Sequence, residues 1–202
     1  MGTILWHHLS WRIRSSIGRN SERQEAMGVR SRLDRCGRRL SYVLRHHPES
    51  AGVSLAYGGW ADVTSILEGM GWDRDLLVAV VSADSKGRYE FSADGSFIRA
   101  LHGHSADVDL GYDLVTPPDV LYHGTAEKTV GSILSDGILP MGRQFVHLSG
   151  CVGDALSIGA RHGRPAVLSV DAKGMFDAGY GFHLSGDGVW LTPVVPARFL
   201  SV

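Results

Sequence analysis

The stretch "YVLRHHPES" (residues 42–50) closes an apolar helical pattern with Arg45, His46 and His47, then stops it at Pro48. Such side chains in a last turn complement the negative end of the helix dipole, so on this stretch alone a stabilising role has precedence. Four further stretches put polar groups at element ends: "YHGT" (122–125), "VHLS" (146–149), "ARHG" (160–163) and "GVWLT" (188–192). Singly they are weak signals, since a strand histidine is more often a satisfied half-buried residue and Trp190 in an apolar strand more often core.

Other site chemistries find little support. No GxxxxGK[ST] is present, and the Gly-rich "GYGFHLSGDG" (179–188) is not a GxGxxG between a strand and a helix. The ten His include no HExxH, and "HGHS" (102–105) has no carboxylate or thiolate at ligand spacing, so it reads as a loop or strand end and no metal is expected. Cys36 and Cys151 are distant and form no CxxC, which speaks against a disulfide framework and for a reducing cytoplasm.

At 202 residues with 44% hydrophobic, the chain has room for one large or two small domains with real cores. No apolar run approaches the ~18 residues of a membrane span, so no membrane partner is expected. Residues 1–50 hold ten Arg against Glu22, Glu25, Asp34 and Glu49, a net +6 that leaves −7 on the remainder of a chain of net −1. The basic end could meet a phosphate-rich partner, although such blocks are more often solvated surface. Residues 1–30 brush against transit-peptide composition and are set aside as a disordered tail or an over-long start preceding Met27.

Positioning these groups requires a fold. Leu33, Cys36, Leu40, Val43 and Leu44 keep helical spacing up to the proline. Asp62 and Asp73 are N-caps for helices "VTSILEGM" and "RDLLVAVVSAD", and "GRYEFS" and "SFIRALHG" flank "ADG" as a β-hairpin. Three helices and a hairpin make a winged-helix pattern over residues 31–115. "TPPD" (116–119) marks a boundary. Beyond it, "VLYHGT", "FVHLSG", "AVLSVDA" and "GVWLTPV" read as strands, and "AEKTVGSILSDG" and "CVGDALSIGARHG" as helices each closed by a C′ glycine. Fold class is α+β.

Joint occurrence, in order, of "LSYVLRHHPE", "GWADV", "KGRYEFSADGSFIRALHGHS", "TPPDVLYHGT", "FVHLS", "GARHGRPAVLSV" and "GVWLTPVVP" resembles the RNA 2′-phosphotransferase family over about residues 32–202. These are the NAD-dependent tRNA 2′-phosphotransferases of tRNA splicing and their bacterial relatives. The resemblance implies an N-terminal winged-helix-like RNA-binding lobe joined to an ADP-ribosyltransferase-like NAD-binding lobe over residues 116–202. It implies catalytic Arg45, His46, Arg88 and Arg161, and NAD-binding His123, Gly124, Thr125, His147, Leu148, Ser149 and Val189. His47 is left as a bland neighbour. Gly124 is expected to let the backbone approach a ligand. Asp187 departs from the Asn common in that family, which leaves the contacts of its loop open.

The implied reaction removes an internal 2′-phosphate from RNA. That phosphate attacks NAD, expels nicotinamide and forms an ADP-ribosylated 2′-phosphate; the 2″-hydroxyl then attacks the phosphorus, giving 2′-OH RNA and ADP-ribose 1″,2″-cyclic phosphate. The expected species is a cytoplasmic monomer with RNA and NAD as partners. Two alternatives stay open: ADP-ribosylation of a nucleic-acid terminal phosphate or a protein, and a non-enzymatic winged-helix nucleic-acid binder.

Overall fold

The computed structural model describes the backbone of residues 6–202 and the side chains of residues 24–202. Helix α1 (Trp6–Arg45) carries the expected apolar stripe: Leu40, Val43 and Leu44 are buried, and Leu33 and Cys36 pack against the same core. The tail expected over residues 1–30 falls mainly outside the residues whose side chains are described; over residues 24–30 the backbone is helical. Pro48 opens a short 3-10 turn, Pro48–Ala51, where its missing N–H and fixed φ cost nothing.

β1 (Leu55–Ala56) and β2 (Trp60–Asp62) lead into α2 (Val63–Met70), whose N-cap Asp62 accepts from Ser65 N at 2.8 Å. α3 (Arg74–Ser82) begins the same way, Asp73 accepting from Leu76 N at 2.7 Å. Both caps stand where the carboxylates foretold them, because only a short acceptor before the apolar run satisfies the first free amides. β3 (Tyr89–Phe91) and β4 (Phe97–Ala100) form the antiparallel hairpin, with Gly95 at φ 69° in its turn. The four strands lie in the order β1-β2-β4-β3, and Leu40, Leu44, Ile66, Leu77 and Ile98 bury one core between sheet and helices.

The second half holds β5 (Val120–Ala126), α4 (Val130–Asp136), β6 (Val146–Leu148), α5 (Val152–Gly159), β7 (Pro165–Asp171), α6 (Ala172–Asp177), β8 (His183–Leu184), β9 (Trp190–Thr192) and β10 (Leu200–Ser201). Two three-stranded antiparallel sheets, β10-β7-β5 and β6-β9-β8, are joined where Tyr122 and Ser149 exchange backbone bonds of 2.9 and 2.8 Å. A separate core gathers Leu121, Leu148, Val170, Met175, Phe182 and Val195. Gly137 caps α4 at φ 84°, as its position implies. Gly163 does not cap α5: that helix stops at Ala160, and the glycine ends the turn that follows.

Residues 101–119 form neither helix nor strand and bond to both halves. Gln144 N donates to His104 O at 2.9 Å, and Val115 N to Phe182 O at 2.8 Å. The chain is a mixed helix and sheet protein, and among the described residues no helix is long and apolar enough to cross a membrane.

Candidate active site

Helix α1 ends with its carbonyls unsatisfied, and the "HGHS" loop supplies what they lack. Ser105 N and Ala106 N donate to Arg45 O at 2.9 and 3.0 Å, while Ser105 Oγ meets His46 Nδ1 at 2.8 Å. This gives the loop a structural task and fixes Arg45 and His46 in place. Gly103, at φ 88°, brings its backbone against the Arg45 guanidinium; a Cβ there would lie 3.3 Å from Nη1.

Arg45 is the unusual member. Its Nε and Nη2 are buried and have no hydrogen-bond partner among the described residues, and burial lowers its pKa from the ordinary guanidinium value. No carboxylate lies within ion-pair distance of it among the described residues. A buried cation with orphaned donors is expensive unless an anion completes it. Burial, with Arg45, Arg143 and His47 nearby, also lowers the His46 pKa, so its ring is neutral at neutral pH.

These residues face a cleft of about 1230 Å³. It is lined by Arg45 and His46, by Arg88 from the turn before β3, by Arg161 from the turn after α5, by His123, Gly124 and Thr125 of β5, by His147, Leu148 and Ser149 at β6, and by Val189 before β9. Every site residue expected from the sequence therefore meets in one place. Arg88 is preset: Asp84 Oδ1 accepts from its Nε at 2.8 Å and lies 2.6 Å from Nη2, while Asp84 Oδ2 takes its backbone N–H. Burial pushes the Arg88 pKa down, but the bond to Asp84 prevails and raises it. Arg161 is exposed and makes no side-chain hydrogen bond among the described residues.

Gly124 has a packing task besides lining the cleft. A Cβ on it would lie 1.7 Å from Ala155 O, so the close approach it permits is that of α5 to β5. Gly159 does the same from the helix side, its Cβ position lying 2.6 Å from Thr125 O. Ser149 likewise spends its backbone on Tyr122, leaving its hydroxyl for any ligand.

Three residues that the sequence did not assign to the site also line the cleft: Arg143, His102 and Asp187. Arg143 Nη1 donates to His147 Nδ1 at 2.9 Å, which fixes the tautomer with the proton on Nε2. Asp187 accepts from Ser185 Oγ at 2.6 Å and lies 2.9 Å from His102 Nε2, so it ties the loop before β9 to the "HGHS" loop. Burial would raise the Asp187 carboxyl, but the bonds from His102 and Ser185 prevail and hold it low. Partners 85 residues apart leave no spacing signal in a sequence. Among the described residues, no three His, Cys, Asp or Glu side chains cluster as a metal site would need.

Burial pushes both His104 and His147 down to about 3, with neighbouring cations adding to the effect. In the folded state they stay neutral while the unfolded chain protonates them near the ordinary 6.5, so their contribution is complete above that pH and is lost as pH falls toward 3. His104 also leaves both ring nitrogens without a partner among the described residues, in a fully buried position. His104→Leu is therefore expected to fold at neutral pH and to flatten the acid slope of urea stability by about one proton. An unchanged slope would contradict this.

The donor set suits an anionic dinucleotide and a second phosphate. Ile138, Leu148 and Val189 give the cleft apolar wall, His147 and Ser149 add polar groups without net charge, and Arg45, Arg88, Arg143 and Arg161 bring positive charge to it.

The sequence model of the family described as "RNA 2'-phosphotransferase, Tpt1 / KptA family" matches residues 31–194. Three relatives named "Probable RNA 2'-phosphotransferase" are similar over most of their length. The one from Pseudomonas paraeruginosa is 46% identical over 177 residues, covering 85% of this chain and 97% of the relative. That from Agrobacterium fabrum is 49% identical over 168 residues, 81% and 90% of the two chains. That from Acaryochloris marina is 44% identical over 165 residues, 79% and 91%. With a family model matched over residues 31–194 and relatives this similar over most of both chains, the chain belongs to the RNA 2′-phosphotransferase family.

Proposed function

We propose that the protein removes an internal 2′-phosphate from RNA by transfer to NAD, and that Arg45, His46, Arg88 and Arg161 carry the reaction. The observation behind this reading is the Arg45 guanidinium, whose buried Nε and Nη2 have no partner among the described residues. Bound NAD supplies an electrophilic ribose carbon with nicotinamide as leaving group, and then a 2″-hydroxyl that accepts the phosphate as a 1″,2″-cyclic ester.

The chain's own residues do the rest. Arg45 and Arg88 hold the 2′-phosphate between them, Arg88 already oriented by Asp84 and Arg45 by the loop at Gly103. Arg161, exposed and lining the same cleft, adds a third guanidinium to the phosphate. Fixed guanidinium donors aimed at the equatorial oxygens stabilise charge where it accumulates. His46, neutral and held through Nδ1 by Ser105, takes up and returns a proton at Nε2. His123, His147, Ser149 and Val189 hold the dinucleotide, with Arg143 keeping the His147 Nε2 proton available.

On this reading, residues 31–115 are a winged-helix-like RNA lobe and residues 116–202 an ADP-ribosyltransferase-like lobe; the two separate hydrophobic cores support the division. The natural rival is ADP-ribosylation of a terminal phosphate. Incubation with NAD and either internally 2′-phosphorylated RNA or 5′-phosphorylated RNA or DNA separates them. Mass spectrometry should find 2′-OH RNA and the cyclic phosphate from the first substrate. A stable ADP-ribose adduct as the only product would favour the rival.

A further inference from the structure

The RNA must continue on either side of the phosphate it presents, and one surface of α1 is built to receive it. Arg35, Arg38 and Tyr42 follow one another at spacings of three and four residues and lead to Arg45 with the same spacing, so they share one helix face. Arg35 and Arg38 are exposed and make no ion pair among the described residues. At 1.5 Å per residue Arg35 stands about 15 Å and Arg38 about 10 Å along the axis from Arg45. Over residues 24–45, six Arg face only Glu25 and Asp34.

Tyr42 is 48% exposed, a high value for an aromatic ring one turn from the cleft. Its ring lies 4.8 Å from that of His47 at an interplanar angle of 28°. Glu49 Oε1, 2.9 Å from His47 Nδ1, holds the second ring in register, and the His47 side chain is 51% exposed. His47 thus has a place of its own: with Tyr42 it makes a preformed stacking surface directly after Arg45 and His46. Single-stranded RNA is gripped by this combination, cations on the backbone and aromatic faces under the bases.

We infer that the Arg35–Arg38–Tyr42–His47 surface is the docking track for single-stranded RNA flanking the 2′-phosphate, with a base stacked on the Tyr42–His47 pair and backbone phosphates on Arg35 and Arg38. The inference rests on the proposed function only for the position of the 2′-phosphate at Arg45. A binding test keeps the two apart, because it needs neither NAD nor turnover.

Fluorescence anisotropy of the full chain with a short single-stranded RNA carrying one internal 2′-phosphate, over a salt series, tests it. Tyr42→Ala is expected to weaken binding about tenfold, and Tyr42→Phe to restore it, because stacking needs the ring and not the hydroxyl. The Arg35→Ser/Arg38→Ser double variant is expected to reduce the salt slope by about 1.4, the value for two phosphate contacts on a single strand. Wild-type protein that binds RNA in this way without processing it would sink the proposed function and leave the track standing. Variants that bind like wild type, a Tyr42→Phe that fails to rescue, or no RNA binding at all would overturn the track.

Discussion

Arg45→Ala is expected to slow 2′-phosphate removal by about 10²–10³-fold, or about 2.7–4 kcal/mol of barrier, as loss of one preorganised donor does elsewhere. Its effect on folding should be opposite in kind. The guanidinium has Nε and Nη2 buried with no partner and no carboxylate in ion-pair range among the described residues, so in the free protein it is a cost and not a support. Thermal stability of the variant should equal or exceed that of the wild type. Arg45→Lys should rescue little, because an ammonium cannot reproduce a planar fork held between Gly103 and the cleft. Single-turnover rates on 2′-phosphorylated RNA, read beside melting curves, check both halves; a near-wild-type rate or a marked loss of stability would contradict the role.

Gly124→Ala is the second large effect, and it concerns the fold. An alanine Cβ would sit 1.7 Å from Ala155 O, 2.5 Å from Ala155 C and 3.0 Å from Ala155 Cα, all backbone atoms of α5. No rotamer change relieves that overlap, so α5 must move off β5 and β7. Overpacking usually costs about 1–3 kcal/mol, and a backbone-on-backbone clash belongs at or above the upper end. Urea denaturation should show a loss of at least about 3 kcal/mol or a failure to fold. If the variant folds normally and only its requirement for NAD rises, the glycine serves the ligand and the packing account fails.

Helix ends and caps were the most legible part of this sequence. Asp62 and Asp73 announce α2 and α3 because a capping carboxylate and an apolar period are both local signals. The hairpin around Gly95 was legible for the same reason. β1, β8 and β10, two residues each, carry no period, and α6 is a six-residue helix, so tertiary pairing decides them. Within the site, Arg45, His46, Arg88 and Arg161 were named through motifs, and the structure lines one cleft with all four. The supports behind them were hidden: Ser105 on His46, Arg143 on His147 and His102 beside Asp187 are contacts made by folding. Gly124 was noticed for its place at the cleft, while its packing against Ala155 of α5 carries no sequence signal.

The central claim is that one cleft couples NAD to an RNA 2′-phosphate. The most direct measurement mixes the purified protein, without added metal, with NAD and an RNA bearing one internal 2′-phosphate, and counts nicotinamide released against 2′-phosphate lost over time. The account predicts one nicotinamide per phosphate removed and none when the RNA carries only 2′-hydroxyls. Phosphate loss without nicotinamide release, or NAD consumption that ignores the 2′-phosphate, would contradict it.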